Sequence, residues 1–280
     1  KLAVDGTQVN ANAAHKSLTP LAPVESLDEY LKRVRDEDQG DDDDDPKPPE
    51  PPQRPGGDPD FHGERFSNQT HRSSTDRDAR LYKKGPGQEA KLRYLVHDLV
   101  DVRSGVILST QATQAGAWAE RAAAISMLDE ALPYLPKSQK QRWLLADKAY
   151  RSSEFFAGVL SRGLLPGVNM DPTLDHLPVW KLRPRTLVEA RARRKKRQEV
   201  SVRNRVKALQ GRRLDRRLLR ARIRVEHVFA EAKTCHGLAR ARSRGLLAVQ
   251  TQALITGIVH NLKRLAANAR RRLPELGVCP

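Results

Sequence analysis

The chain has 280 residues, which is enough to bury a substantial core in one large domain or two modest ones. It carries 51 Lys and Arg against 34 Asp and Glu, a formal net charge of +17, which favours a polyanionic partner and most often nucleic acid. Its two cysteines, Cys235 and Cys279, are far apart and form no CxxC pair, which argues against a disulfide framework and a structural zinc site. No apolar run approaches about 18 residues and no signal peptide is visible, so we expect a cytosolic location and no membrane partner.

The chain opens with a short predicted strand, LAVDGTQVN, in which apolar and polar residues alternate. An acidic, proline-rich segment follows, with 14 acids against 5 bases between residues 25 and 60. Such a segment buries too little apolar surface to offset the entropy of ordering, so residues 15–75 are predicted to be a disordered insertion. The domain would then consist of residues 1–14 and 76–280. The insertion is either a solvated linker or an acidic mimic of DNA that shields a basic cleft.

Strands and helices alternate in the pattern from residue 82 onward. KLRYLVHDLVDV and GVILSTQAT predict a hairpin, AWAERAAAISMLDEALPYL a helix ended by Pro136, and RWLLADKAY a short buried strand. SSEFFAGVLSRG predicts a helix with a serine N-cap and a terminal Gly163, and LLPGVN predicts a further strand. This order indicates a mixed α/β sheet with at least one crossover helix.

The last third of the chain is basic and ends in two predicted long helices, at about residues 212–236 and 246–271. Between residues 181 and 244 there are 23 Lys and Arg against 5 Asp and Glu, an excess that favours contact with the DNA backbone over a solvated helical face. Apolar residues near a heptad spacing predict that the final helix packs on the domain: Leu247, Leu254, Ile258, Leu262 and Leu265.

On the helix at 212–236, a single glutamate, Glu226, lies beside the apolar stripe. The stripe contains Ala221, Val225, Val228, Ala232 and Cys235, and the neighbouring stripe contains Arg222, Glu226, Phe229, Lys233, His236 and Arg240. One interpretation of Glu226 is an i,i+4 pair with Arg222, worth about 0.2–0.5 kcal/mol.

The other interpretation depends on two aspartates in strands, Asp5 in VDGT and Asp147 at the end of LLAD. Aspartate is a poor strand residue, and its burial is costly without a partner or a metal. With Glu226, these residues would supply the hard oxygen ligands that Mg²⁺ or Mn²⁺ prefers. Two such ions can activate an attacking oxygen and stabilise the departing one at a phosphodiester.

In their order along the chain, these motifs resemble those of the bacterial insertion-sequence transposases of the DDE class. VDGTQVNANAA resembles the family's first-aspartate strand, RSSTDRDARLYKK its entry to the second strand, YLVHDLVD that strand, and LLADKAY its second-aspartate motif. RIRVEHVFAEAK resembles the glutamate helix, in which Arg222, Glu226 and Lys233 fit the spacing of the Tyr-Arg-Glu-Lys motif. GLARARSRGLLAVQTQALITGIVHNLKRL resembles the extended tail of that helix.

The resemblance implies a ribonuclease-H-like fold, a mixed α/β sheet flanked by helices, with the acidic insertion after its first strand. It implies that Asp5, Asp147 and Glu226 are catalytic ligands of two Mg²⁺ or Mn²⁺ ions, which act in cutting double-stranded DNA at the element ends and joining it to target DNA. Arg222 and Lys233 would contact DNA near the scissile phosphate. We also expect a homo-oligomer on DNA, in the bacterial cytoplasm and associated with the nucleoid. Further DNA-binding residues are expected at Lys148, Arg240, Arg242 and Arg244.

Three departures from the family pattern leave other functions open. Leu219 stands at the tyrosine position of the glutamate motif, Ala149 stands where a glycine often occurs, and no N-terminal region for recognising element ends is visible. The chain is therefore interpreted as the catalytic part alone. The alternatives are an inactive remnant that only binds DNA, a nuclease of the same fold, and a protein that binds RNA.

The remaining candidate residues are assigned mainly structural roles. Asp98 and Asp101 are assigned to the surface or the surroundings of the site, and His97 to a structural hydrogen bond. Trp180 is a candidate for stacking on an extruded base. The pair Cys235 and His236 has no partner pair nearby, which argues against zinc.

Overall fold

A computed structural model describes residues 1–21, 66–83, 85, 88–116, 118–136, 141–170, 173, 175–177, 184, 186–211, 214 and 216–272. None of the helices in these ranges is both long enough and apolar enough to cross a membrane. The strands are β1 (Leu2–Asn10), β2 (Leu18–Pro20), β3 (His71–Ser73), β4 (Arg80–Tyr82), β5 (Lys91–Asp101), β6 (Ile107–Gln114), β7 (Trp143–Leu145) and β8 (Leu165–Gly167). The helices are α1 (Ala119–Ala131), α2 (Ser153–Ser161), α3 (Leu187–Gln210), α4 (Arg216–Arg220), α5 (Ile223–Cys235) and α6 (Leu246–Arg272).

The main sheet is mixed, with β1 at its centre. β5 pairs antiparallel with one edge of β1, and β7 pairs parallel with the other edge. β8 continues the sheet beyond β7 in parallel, whereas β4 and β6 pair antiparallel with the far edge of β5. This mixed α/β sheet flanked by helices is consistent with the ribonuclease-H-like fold expected from the sequence. The predicted hairpin, the helix after it and the two later strands are confirmed as β5–β6, α1, β7 and β8.

Each face of the sheet is covered by its own helices. On one face, Leu2 and Val4 of β1 pack with α1 and α2, where Met127, Phe155 and Phe156 are buried. On the other face, a cluster containing Ala3, Val100 and Leu145 packs against α5. The alternation of side chains along β1 therefore directs Asp5 toward the α5 face and the next residue, Gly6, toward α1.

Helix α2 begins where the sequence predicts, because the Ser152 hydroxyl accepts a hydrogen bond from the amide of Phe155 at 3.1 Å. Helix α3, inside the basic region, was not anticipated as a separate element. It lies beside α2 and β8, where Val206 is buried and the Gln210 amide donates to the carbonyl oxygens of Pro166 and Val168.

The two ends of the segment expected to be disordered are ordered. Residues 18–20 and 71–73 form the two-stranded β2–β3 ladder, and the hydroxyl groups of Ser17 and Ser73 lie 2.7 Å apart. The acidic, proline-rich stretch between them falls at residues 22–65, outside the described residues.

The predicted helix at 212–236 is wrong in detail, because it is divided into α4 and α5 around residues 221 and 222. Two side chains also differ from the predicted stripes: Phe229 is buried, and Cys235 is exposed. Val225, Val228 and Ala232 are buried as expected.

The prediction that the near-heptad stripe of α6 packs on the domain is wrong. All five of its residues are exposed: Leu247, Leu254, Ile258, Leu262 and Leu265. The face that docks is small and polar instead. Gln250 donates to the carbonyl of Thr110, and Asn261 both donates to the carbonyl of Ile107 and accepts from its amide. These side-chain amides provide hydrogen-bond partners for backbone N–H and C=O groups of β6. Among the described residues β6 pairs only with β5, so α6 covers a sheet edge that would otherwise be open.

Candidate active site

Asp5 lies in the middle of the central strand, with its side chain 19% exposed. Its Oδ1 accepts a hydrogen bond from the amide of Gly6 at 2.9 Å. Burial raises the pKa of the Asp5 carboxyl above its ordinary value. The guanidinium of Arg222 and the Gly6 amide oppose this rise, whereas the charges of Asp147 and Glu226 add to it. Asp5 therefore shares one electrostatic environment with the two other predicted catalytic acids.

Asp147 follows the end of β7 and is exposed. The parallel register pairs Ala3 with Leu145, and Asp5 and Asp147 each follow that pair by two residues. Asp147 also caps the short 3₁₀ turn Lys148–Tyr150, where its carboxylate accepts from the amide of Lys148. β7 ends here because the chain turns away from the sheet. Beyond Ala3, the edge of β1 that faces β7 therefore has no strand partner among the described residues.

Glu226 lies in the first turn of α5, and its side chain is 48% exposed. Arg222, one turn earlier, joins it to the sheet. The Nη2 group of Arg222 donates to Glu226 Oε1 at 2.6 Å, and its Nη1 group donates to Asp5 Oδ2 at 2.6 Å. The predicted i,i+4 pair is confirmed, and the same guanidinium also bridges two carboxylates that are 221 residues apart in the chain.

The arginine-rich loop after α5 docks against the end of β1. The amide of Asn10 donates to the carbonyl of Ala239 at 3.1 Å, and the amide of Ala241 donates back to Asn10 at 2.8 Å. Asn12 extends this contact. Its side chain donates to the carbonyl of Arg242 and accepts from the guanidinium of Arg240, while its carbonyl accepts from Arg244.

The predicted DNA-binding residues are thereby placed in two groups around β1. Arg240, Arg242 and Arg244 are exposed along the loop at its end, and Lys148 is exposed beside Asp147. Lys233 is half-buried in the last turn of α5.

A fourth carboxylate, Glu120, was missed by the sequence interpretation. It lies in the first turn of α1, and its Cγ is 3.5 Å from the position that a Cβ on Gly6 would occupy. Burial raises the pKa of Glu120, and the charges of Asp5 and Asp147 raise it further against the opposing charge of Arg121. The sequence gives little signal for this residue, since an acid in the first turn of a helix is common for its effect on the helix dipole.

The lack of a side chain at Gly6 allows helix α1 to approach β1 closely. A Cβ at this position would lie 2.8 Å from Nδ1 of His97, the residue opposite it on β5. The glycine in VDGT is therefore required by close packing of His97 and Glu120 against the strand next to Asp5.

The other candidate residues on β5 have structural positions. His97 is buried, as predicted for a structural histidine, with its Nε2 2.9 Å from the hydroxyl of Thr113. Asp98 is not on the surface: it is buried, and it accepts a 2.8 Å hydrogen bond from Thr110. The carboxylate of Asp101 accepts from the amide and hydroxyl of Ser104 in the turn after β5. Trp180 lies outside the described residues.

Comparison with known families identifies the domain. Residues 66–262, more than half of the chain, match the family model of the transposase DDE domain. The chain belongs to the transposase DDE domain family. No match was found among curated proteins or among solved structures. The range matched to the transposase domain contains Asp147, Arg222 and Glu226, but it does not contain Asp5. Asp5 belongs to the same sheet, because its strand β1 lies between β5 and β7.

The carboxylates of this transposase domain fit a hard divalent cation in their chemistry and charge. All the candidate donors are carboxylate oxygens, and the raised pKa values of Asp5 and Glu120 reflect burial together with an accumulation of negative charge. Their side chains do not converge on one point, however. Within the described ranges, no group of three or more His, Cys, Asp or Glu side chains is arranged to hold a metal ion.

Proposed function

We propose that this chain is the catalytic domain of a DDE transposase, which cuts double-stranded DNA at the ends of an insertion sequence and joins the free 3′-OH to target DNA. The observation that supports the proposal is that Arg222 joins Asp5 to Glu226, and that the charges of Asp147 and Glu226 both act on Asp5, in a chain of the transposase DDE domain family. These acids come from a central strand, the end of a neighbouring strand and a helix.

In this proposal Asp5, Asp147 and Glu226 hold Mg²⁺ or Mn²⁺, with two ions at the site. Divalent cations held by these residues would supply activation of the attacking water or 3′-OH and stabilisation of the departing oxygen. Arg222 neutralises Asp5 and Glu226 when no cation is present, so cation binding requires its bonds to these carboxylates to open. A released guanidinium could then contact a DNA phosphate through two parallel hydrogen bonds.

The basic surface supplies the DNA contact. The exposed Arg240, Arg242 and Arg244 lie beside the end of the strand that carries Asp5, and Lys148 lies next to Asp147. DNA bound to these residues would pass the carboxylates, since arginine and lysine fix the position of a duplex through its phosphates. Cutting and joining two element ends would require an oligomer of this chain on DNA.

One observation supports a second candidate function, an inactive remnant that only binds DNA. Asp5 and Glu226 are both engaged by Arg222, and the carboxylates do not converge. A chain that kept its basic surface but lost cation binding would still bind DNA through phosphate contacts.

Nicking of supercoiled plasmid DNA in Mn²⁺ separates the two functions. We compare the parent chain with Asp5→Asn, Asp147→Asn and Glu226→Gln, and we use Glu89→Gln, an exposed acid before β5, as the matched control. The transposase proposal predicts cation-dependent nicking by the parent and the control. It also predicts a loss of at least about 10–100-fold in each of the three variants, because disturbing even the surroundings of a metal site has that effect.

DNA affinity is measured in the same samples by gel shift, and joined products are sought with DNA fragments that carry free 3′-OH ends. Binding without nicking by the parent would support the remnant, whereas nicking without joined products would support a nuclease. Nicking that survives Asp147→Asn unchanged would contradict the assignment of these carboxylates.

A further inference from the structure

Helix α6 carries a long apolar surface on the side that faces away from the sheet. At about 100° per residue, its larger exposed apolar side chains fall within a sector of about 140° and extend for about 27 Å along the helix. Each of these side chains is between 37% and 81% exposed: Leu247, Leu254, Ile255, Ile258, Val259, Leu262 and Leu265. We call this surface the outer stripe.

The outer stripe can be buried without leaving a polar group unpaired. In the described part of α6, Thr251 is the one polar residue within the sector of the stripe, and its hydroxyl donates to the carbonyl of Leu247 at 3.0 Å. The helix has no Lys, Arg, Asp or Glu before Lys263. The solvated face of a helix normally carries charged and polar residues, so the outer stripe has the composition of a contact surface.

The exposed area of the outer stripe is large enough for a stable interface. The exposed fractions of its seven side chains equal about four whole residues of this size, on the order of 700 Å². The largest apolar patch on a typical monomer covers about 300–600 Å², and each partner in a standard interface buries about 800 Å². The stripe therefore exceeds what a monomer usually exposes and supplies most of one half of a dimer interface.

The distribution of charge along α6 fits a second copy of the helix that runs in the opposite direction. All five basic residues of α6 lie within residues 263–272. A parallel pair would bring these like charges together, whereas an antiparallel pair keeps them at opposite ends and opposes the two helix dipoles.

A groove beside the first half of α6 also suits the basic end of an antiparallel copy. Leu247 and Leu254 line this groove together with Tyr134, which is 88% exposed, and with two acids, Asp78 and Glu130. The apolar surface of the stripe thus continues into the groove, and the acids provide charges opposite to those at the end of α6.

We propose that the outer stripe is the interface of a symmetric dimer, in which the α6 helices of two copies of this chain pack antiparallel. Leu247 of one copy would lie near Leu265 of the other, with the two-fold axis close to residue 256. Such a contact uses the same surface on both copies, so it closes at two chains. The inference goes beyond the proposed function, because this dimer needs neither DNA nor a cation.

Sedimentation of the 280-residue chain over a range of concentrations, without DNA and in cation-free buffer, tests the interface. We expect the parent to form a species of twice the 31.4 kDa chain mass. Ile258→Glu should raise the dissociation constant of the dimer by at least about 10-fold, since it places an unpaired charge in an apolar contact. Asn268→Glu adds the same charge at an exposed position of α6 outside the stripe, and this matched control should dimerise as the parent does.

Thermal unfolding followed by circular dichroism, at a concentration below the dissociation constant, shows whether each variant is folded. Ile258 is 58% exposed in the single chain, so its replacement should leave the unfolding temperature of the monomer nearly unchanged. Leu262→Ala is a milder second variant that adds no charge. It should weaken the dimer about 5-fold or more through the loss of apolar contact area.

Cross-linking tests the direction of the helices. In chains that carry Cys235→Ser and Cys279→Ser, we introduce either Leu247→Cys or Leu265→Cys and oxidise the two proteins separately and mixed. The antiparallel dimer predicts a disulfide between the two different chains in the mixture and none between identical chains, because the sulfur atoms must come within bonding distance. Disulfides between identical chains would overturn the antiparallel arrangement.

The outcomes also separate this inference from the proposed function. A parent that stays monomeric at every concentration, as it would if another segment of the chain covered the stripe, overturns the proposed dimer. A dimer that Ile258→Glu leaves unchanged overturns it as well. In either case, cation-dependent nicking that is lost in Asp147→Asn would still support the catalytic carboxylates.

Discussion

Replacement of Asp98 by asparagine should remove a pH dependence from the stability of this domain. Asp98 lies opposite Asp5 in the β1–β5 ladder, and burial raises its pKa from an ordinary 3.8 to about 7, with the Thr110 hydroxyl opposing the rise. Between these two pH values the folded chain keeps a proton that the unfolded chain has released. The free energy of unfolding therefore falls as the pH rises from about 4 to 7, and it is flat above 7 as far as this group is concerned.

The size of this effect follows from the two pKa values. At about 1.4 kcal/mol per pH unit, the difference corresponds to a loss of roughly 4 kcal/mol across the window. Asparagine cannot ionise, and its carbonyl oxygen can still accept from Thr110, but its buried amide needs an acceptor and costs about 1–3 kcal/mol without one. Asp98→Asn should therefore be close to or less stable than the parent at pH 4 to 5. It should be more stable by about 1–3 kcal/mol at pH 8.

Urea unfolding followed by circular dichroism from pH 4 to 8 measures this difference, and other titrating groups cancel between parent and variant. Asp101→Asn, three residues along the same strand, is the matched control. Burial tends to raise the pKa of Asp101, but the hydrogen bonds from Ser104 outweigh it and the pKa is lowered. The ionised Asp101 carboxylate stabilises the folded chain at every pH above its ordinary pKa, and this stabilisation is lost only as the pH falls through the lower pKa of the folded state. Asp101→Asn should therefore be uniformly less stable than the parent from pH 5 to 8. A constant difference between Asp98→Asn and the parent would refute the reasoning, because Asp98 would then ionise at its ordinary pKa.

Two further substitutions test the contacts around the site. Arg222→Gln removes the guanidinium that binds Asp5 and Glu226. It should tighten Mn²⁺ binding by about 10-fold or more, since charge-assisted bonds of about 1.5–3 kcal/mol no longer compete, while DNA nicking falls. Weaker Mn²⁺ binding by isothermal titration would contradict this. Tyr94→Phe removes a 2.5 Å hydrogen bond to buried Asp76 and should lower the free energy of unfolding by about 1–3 kcal/mol, measured by urea unfolding. An unchanged urea midpoint would show that Asp76 has enough hydrogen-bond partners without Tyr94.

The alternating strands and the order of the elements could be predicted because they are local properties of the sequence. β1 and the β5–β6 hairpin follow apolar periodicity, and α2 follows its Ser152 cap. The motif RSSTDRD has a structural explanation that no local pattern contains. Asp76 accepts from the amide of Gly245, and Asp78 accepts from the amide of Leu246, so the motif caps the start of α6 from about 170 residues earlier in the chain.

The orientation of α6 could not be predicted because apolar spacing gives a stripe but not its partner. The helix docks through small and polar residues, since Gly257 lies close to Thr110 and the amides of Gln250 and Asn261 bind the backbone of β6. Leucine side chains at these positions would hold the helix away from the strand and leave its outer backbone groups without partners. Satisfying a sheet edge thus outweighed burying the longer apolar stripe.

Of the two interpretations of Glu226, the structure confirms the pair with Arg222, and the role as a cation ligand stays a prediction. The spacing of four residues from Arg222 is visible in the sequence, and the structure confirms that pair. The bond from Arg222 to Asp5 spans 217 residues, and only the sheet register and the break between α4 and α5 bring the two together. An arginine that neutralises two acids is also one that a divalent cation must displace. The ion pair and the proposed cation site would therefore compete for the same oxygens.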